Sequence, residues 1–354
     1  MLCNAAYSPS LFLQNGVRMT IYAALWGKYF WEATTDCPEP PYKDQIFICA
    51  QQVPLYGQVA IPNNPRGTII ATYGVTGDLE TEWLLKFLRR KAYAAGYAVI
   101  LFDWRSRGKS AQLSPTIPSG GLYEGEDFIR IAATAAKIGC PKKFWFFGYS
   151  LGGQLALWGL NTLHQIPQLE ELGITRDDIA GAAVICPSLD SVRSLPYLCG
   201  YPVGRFFESR ITQKLKQITW KFYHLYPKDI DPEAIKRANS IWSFDEELVI
   251  SKLGFGSVEE YYKATRVLNF LPKIDKPTLI IYAEDDPFFN PSIVPDLKSI
   301  CSDHRYVDLL LTKYGGHVGY LNSYLNQLQN NEPDPWWAIN RILEWLEIQD
   351  SSSG

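Results

Sequence analysis

From residue 68 onward the chain alternates two hydrophobic periods. Short apolar runs at 68–73, 97–103, 144–147, 179–186, 278–283 and 307–311 are too brief for helices and rich in β-branched and aromatic side chains. Between them, 80–95, 123–138 and the stretch opening at Leu151 repeat their apolar residues at helical spacing, and the first two stop at Gly96 and Gly139. The closing stretch 335–348 puts Trp336, Ile339, Ile342, Leu343 and Leu346 on one side of a helix. Strands that are apolar throughout are buried on both faces, and strands alternating with helices make crossovers. The pattern predicts an α/β fold, a mostly parallel, doubly wound sheet covered by helices on both sides.

One interval breaks the rhythm. From 187 to 277 there are helical pieces and no clear strand, which reads as an insertion over the carboxyl edge of the sheet, a helical cap or lid. The stretch before residue 66 is irregular, with prolines at 38–41, two strand-like pieces at 45–50 and 56–61, and a turn at 63–67. The expected division is an N-terminal segment, 1–66, packing on the core; a first core part, 67–188; the cap, 189–276; a second core part, 277–349; and a mobile tail, 350–354.

Composition narrows the partners. The 354 residues are 47% hydrophobic and 20% charged, an ordinary globular balance. The net charge of −3 leaves no basic excess for a phosphate backbone, so nucleic acid is not an expected partner. Seven cysteines at wide spacing, with no C-x-x-C, argue against a zinc site or a disulfide scaffold and for free thiols in a reducing compartment. No window is apolar enough to span a membrane, and the first twenty residues lack the pattern of a secretory signal. The expected location is the cytoplasm. No oligomeric state is read from the sequence.

The chemistry centres on Gly148-Tyr149-Ser150-Leu151-Gly152. G-x-S-x-G alone is a common pattern. Here it stands where a strand meets a helix, the context in which a tight turn pushes a serine Oγ above the sheet. A serine hydroxyl is a weak nucleophile without a base. Of the four histidines, His164 follows the helix on the far side from the strand ends, His224 lies in the insertion and His304 in a polar turn. His317, in Gly315-Gly316-His317-Val318-Gly319 just beyond the last strand, is the expected base. The orienting acid should come between serine and histidine in the chain. Glu284, Asp285 and Asp286 compete there, and Asp286, immediately before Pro287, is preferred over Asp285, which should point away, to solvent or to cap the helix near Pro291. The backbone N–H groups of Leu151 and Val75, the latter in the Gly-rich loop 73–78, are the expected donors to an oxyanion. The run 103–110 lacks the spacing of a phosphate loop and reads as structural.

Together these residues resemble the α/β-hydrolase superfamily, and more closely its YheT-like branch of esterase- and lipase-like proteins. Tyr7-Ser8-Pro9, Leu13-Gln14-Asn15-Gly16 and Thr20-Ile21-Tyr22 are similar to that branch's opening segment. Phe244-Asp245-Glu246, Gly254-Phe255, Glu260-Tyr261-Tyr262, the run Ala283-Glu284-Asp285-Asp286-Pro287-Phe288, the loop around His317 and Trp336-Trp337 match more closely. The oxyanion loop opens with Tyr73-Gly74 where the branch usually has His-Gly. The resemblance implies hydrolysis of carboxylic esters, with short- to medium-chain acyl groups or of lipids, through an acyl-enzyme on Ser150. It leaves open an alcohol O-acyltransferase using the same triad. It calls for no metal or organic cofactor. Aromatic residues of the insertion, such as Trp220 and Trp242, could line an acyl pocket, pack the lid or touch a membrane peripherally.

Overall fold

The computed structural model describes residues 6–166 and 169–351. Its centre is one eight-stranded sheet: β1 (Lys43–Ile48), β2 (Pro54–Ala60), β3 (Gly67–Thr72), β4 (Tyr97–Phe102), β5 (Phe144–Tyr149), β6 (Ile179–Ile185), β7 (Thr278–Ala283) and β8 (Val307–Thr312). The spatial order is β1-β2-β4-β3-β5-β6-β7-β8. β1 and β2 are antiparallel to each other, and β2 to β4, while β3 to β8 run parallel. Every residue of β3, β4, β5 and β7 is buried, as expected for strands covered on both faces. The N-terminal segment, expected to pack on the core, also extends the sheet, because β1 and β2 add to its edge.

The helices Trp83–Ala94, Glu124–Lys137, Leu151–Thr162 and Ile293–Cys301 form the crossovers. After β4 the chain crosses back over β3 to begin β5, so the winding reverses between β3 and β5. Such a reversal opens a crevice beyond the carboxyl ends of the two strands. The loop after β3 and the turn after β5 both face it.

Between β6 and β7 stand six helices, from Ser191–Cys199 to Val258–Thr265. They close around their own apolar cluster, which includes Leu215, Phe222, Ile235, Phe244 and Leu248 and is separate from the sheet's core. The 103–110 loop is structural. Arg105 and Asp127, both fully buried, form a two-pronged pair at 2.8 Å in each arm. The last helix, Trp337–Ser351, runs beyond its expected end. Asp350, assigned from sequence to a mobile tail, is held there by Lys143 at 2.7 Å and Arg66 at 3.2 Å. Residues 352–354 of that tail lie outside the described residues.

Candidate active site

Ser150 follows β5 and precedes the helix Leu151–Thr162, with φ 54° and ψ −127°. This backbone region is unfavourable for a residue with a Cβ and persists only where its surroundings enforce it. Backbone hydrogen bonds do so. Ser150 N–H donates to Ile185 O at 3.0 Å, and Ser150 O accepts from Ser188 N at 3.1 Å and Gly153 N at 3.1 Å. The flanking glycines are there for space. A Cβ on Gly148 would strike Gly152 O, and one on Gly152 would strike Tyr73 O.

His317 arrives from the loop after β8. Its Nε2 lies 2.9 Å from Ser150 Oγ and its Nδ1 2.8 Å from Asp286 Oδ2. Both fall within proton-transfer reach. Asp286 is buried, and its other oxygen accepts from Phe288 N–H at 2.8 Å. The rings of Phe288 and Phe289 flank the imidazole, at centroid distances of 4.4 and 5.2 Å. The other three histidines are elsewhere. His164 bonds Arg176, His304 meets Pro272 O and Tyr306 N–H, and His224 ends the long cap helix Pro202–Leu225.

Asp285 takes neither of its expected places, in solvent or capping the helix near Pro291. Its carboxylate turns under the histidine loop and accepts from Gly316 N–H at 2.9 Å. Burial, with Asp286 adding a smaller push, raises its pKa to about 6. The loop is anchored a second time from the far end of the chain. His317 N–H donates to Thr20 Oγ at 2.8 Å, and that hydroxyl donates to Gly16 O at 2.7 Å. No local pattern announces this support, because Thr20 lies 297 positions from His317.

The loop after β3 passes beside the serine. A Cβ on Gly74 would come within 3.3 Å of Ser150 Cβ. Leu151 N–H lies in the first helical turn, where no preceding carbonyl is available to it. Val75 is fixed from behind by Arg107, whose Nε donates to Val75 O at 3.1 Å. Tyr73 reaches down to the β4 loop, and its hydroxyl donates to Asp103 at 2.6 Å. The same Asp103 oxygen accepts from Leu79 N–H at 3.0 Å. Tyr73 thereby supports the loop from the position where a histidine is usual. Burial raises Asp103 to about 6. Glu82, hydrogen-bonded to the Tyr149 hydroxyl, is raised to about 7 chiefly by burial.

A cavity of about 400 Å³ opens over Ser150 and His317. Its walls are Trp83 and Trp104 from the core and Leu198, Leu215, Phe244 and Val249 from the cap. Cys186, Asp286 and His317 bring three potential metal-ligand atoms within 4.8 Å of one another. They do not suit a cation. Burial holds the Cys186 thiol well above its ordinary pKa, its Sγ already meets Gly316 O and Tyr320 OH, and both ring nitrogens of His317 face other partners.

An eight-stranded α/β sheet with a serine at this turn, and a histidine and acid beyond the following strands, defines the hydrolase class. The sequence profile of the alpha/beta hydrolase family matches residues 74–324. "Putative esterase slr0264" of Synechocystis sp. is 47% identical over 96% of this chain and 94% of its own. "Putative esterase YheT" of Escherichia coli is 29% identical over 87% of this chain and 83% of its own. "Phospholipase ABHD3" of Mus musculus is 26% identical over 89% of this chain and 77% of its own. The chain belongs to the alpha/beta hydrolase family, in its YheT-like esterase and lipase branch.

Proposed function

We propose that this protein is a serine hydrolase of carboxylic esters that acts through an acyl-enzyme on Ser150. The observation that carries the reading is the continuous line Asp286–His317–Ser150, with 2.8 and 2.9 Å between successive partners. His317 Nε2 takes the Ser150 proton as Oγ attacks the ester carbonyl. Asp286 keeps the remaining ring proton on Nδ1 and stabilises the imidazolium. The Val75 and Leu151 N–H groups receive the carbonyl oxygen as it becomes negative. His317 then protonates the leaving alcohol, and water, activated by the same ring, releases the acid. No step calls for a metal or organic cofactor.

The substrate reading follows from the walls. A largely apolar cavity shared by core and cap accepts a short- to medium-chain acyl group or the acyl end of a lipid ester. The similarity to a protein named as a phospholipase supports a lipid ester as one such substrate. The domain plan is a hydrolase core, 67–188 and 277–349, capped by 189–276. Cys49, Cys140 and Cys186 are free and buried, which fits action in the cytoplasm. No helix among the described residues is long and apolar enough to cross a membrane.

A serine-directed fluorophosphonate probe tests the reading together with p-nitrophenyl esters of graded acyl length. Labelling and turnover in the wild type, both absent in a folded Ser150→Ala variant, are the expected result. A wild type that neither labels nor turns over any ester overturns it. Product analysis with added alcohol separates hydrolysis from acyl transfer by the same acyl-enzyme.

A further inference from the structure

The first helical run of the chain has the wrong face outward for a protein surrounded by water alone. Gly16–Tyr22, Ala23–Gly27 and Lys28–Phe30 follow one another without a break, the middle piece being a π-turn. A surface helix buries one apolar stripe and shows polar residues on the other side. This run does bury Met19, Ala23 and, just beyond its end, Trp31. Yet Leu25, Trp26, Tyr29 and Phe30, with Leu11 and Phe12 just ahead, are between 45% and 85% exposed. A second exposed strip is tied to the residues just ahead of Leu11. The helix Tyr324–Asn330 shows Leu325 and Leu328 to solvent, and Ser323 N–H ties its start to Ser8 O at 3.0 Å. Contiguous exposed apolar surface of this kind marks a contact site.

The charges on this face say what covers it. Arg18 lies over the Phe12 ring at 5.3 Å and Lys28 over the Tyr29 ring at 4.7 Å. Among the described residues neither cation has an acid within ion-pair distance. Glu32, the nearest acid along the run, is already paired with Arg90 at 3.1 Å. A second copy of the chain docked on this face by twofold symmetry would double its unpaired cations without bringing a free acid of the run to meet them. Aromatic and aliphatic side chains ringed by unpaired Arg and Lys are the pattern of an interfacial helix, whose rings enter the acyl boundary while its cations meet phosphate. Position adds to this. Thr20, Ala23 and Ala24 of the same run line the cavity over Ser150.

We infer that the face built from residues 11–30 docks on a phospholipid bilayer, with its apolar side chains at the headgroup–acyl boundary and Arg18 and Lys28 at the phosphates. The docking rests on this surface alone. Only its use, passing a lipid ester from the bilayer past Ala24 to Ser150, rests on the function proposed above. With two cations and an overall charge of −3, the attachment is mainly apolar and weakly salt-dependent.

Flotation with phosphatidylcholine vesicles tests it, using the wild type, Ser150→Ala and the combined variant Phe12→Ser, Trp26→Ser, Tyr29→Ser and Phe30→Ser. The wild type and Ser150→Ala float alike, and the combined variant loses about tenfold or more of its bound fraction. Its fluorophosphonate labelling and its turnover of a water-soluble short-chain ester stay unchanged. Tyr29→Asp, a single exposed change, lowers flotation in the same direction and serves if the combined variant is misfolded. The inference is overturned if the wild type does not float or if the variants float equally. It is also overturned if light scattering finds a dimer that the variants abolish while vesicles are ignored. Flotation needs no turnover, so its failure leaves the hydrolase reading standing, and loss of ester turnover leaves flotation to be judged separately.

Discussion

The sheet core and the cap hold their parts of the cavity by different means. In the core, each functional atom is fixed by backbone. Ser150 is pinned by Ile185, Ser188 and Gly153, the His317 loop hangs on Gly316 and His317 N–H, and Asp286 is turned by Phe288 N–H. The cap has a separate small core and meets the body through side chains. Asp190, buried at its first hinge, pairs with Arg193 at 2.7 Å and with Arg266, at the far end of the insertion, at 2.9 Å. One carboxylate thus clasps both ends of the cap. Trp158 donates to Thr265 O at 3.0 Å beside it. On the proposed function, the difference would divide two tasks: the core would set the rate of bond making, and the cap would set which acyl chain is present when it happens.

The strongest way to break this division is at the nucleophile. Ser150→Ala is expected to lower kcat by about 10⁶, as removal of a triad serine does elsewhere, with an unchanged melting curve. A residual rate above a few per cent, free of contaminants, would remove Ser150 from the mechanism. Next come the neighbouring acids. Asp286→Asn favours the wrong imidazole tautomer, and a rate loss of about 10⁴ is expected. Asp285→Asn keeps an oxygen for Gly316 N–H, so its loss should stay within about tenfold, the worth of one hydrogen bond. Steady-state kinetics on one ester ranks the two, and the reverse order would exchange their roles.

In the cap, Leu215→Trp should shorten the cavity. Long acyl esters are expected to lose about tenfold or more in kcat/KM, while acetate and butyrate esters hold their rates. Equal losses across chain lengths would show that the cap acts on the chemistry and erase the distinction. The smallest effect concerns Asp245, a cap residue facing the cavity and bonded to the Tyr262 hydroxyl. Burial raises its carboxyl to about 7. An acid raised on folding gives stability that is complete below its ordinary pKa and is lost as pH climbs through the folded value. Asp245→Asn removes that loss. Its Tm should match the wild type at pH 4 and exceed it at pH 8, at about 1–2 °C for each kcal/mol regained in a chain of 354 residues. A gap of the same size at both pH values would count against the titration.

The sheet is legible in the sequence because its strands are covered on both faces, which leaves unbroken apolar runs bounded by glycine. The differences lie at ends. β5 continues through Gly148 and Tyr149 because the strain of the turn falls wholly on Ser150. The last helix runs on to Ser351 because Asp350 finds cations on two other elements. Ser150, Asp286 and His317 can be nominated because each stands at a strand end, a position that sequence order reveals. Asp285 departs from its expected place. Adjacent residues commonly face opposite ways, one inward and one to water, but the histidine loop passes over both. Thr20, Arg107 and the Tyr73–Asp103 bond carry no local signal. Each acts between residues far apart in the chain, Thr20 and Arg107 on backbone groups and Tyr73 on a side chain, and no periodicity records such a contact.

The bond from His317 N–H to Thr20 has a consequence for the order in which the protein becomes active. During synthesis the serine turn emerges before the acid and the base. The base then settles on a hydroxyl made 297 positions before it. A growing chain would therefore carry an unarmed serine until the His317 loop closes on the helix that holds Thr20. The same closure makes the opening segment a vulnerable point. A protease that trims the chain past Thr20 would leave the whole sheet intact and take away the floor beneath the histidine.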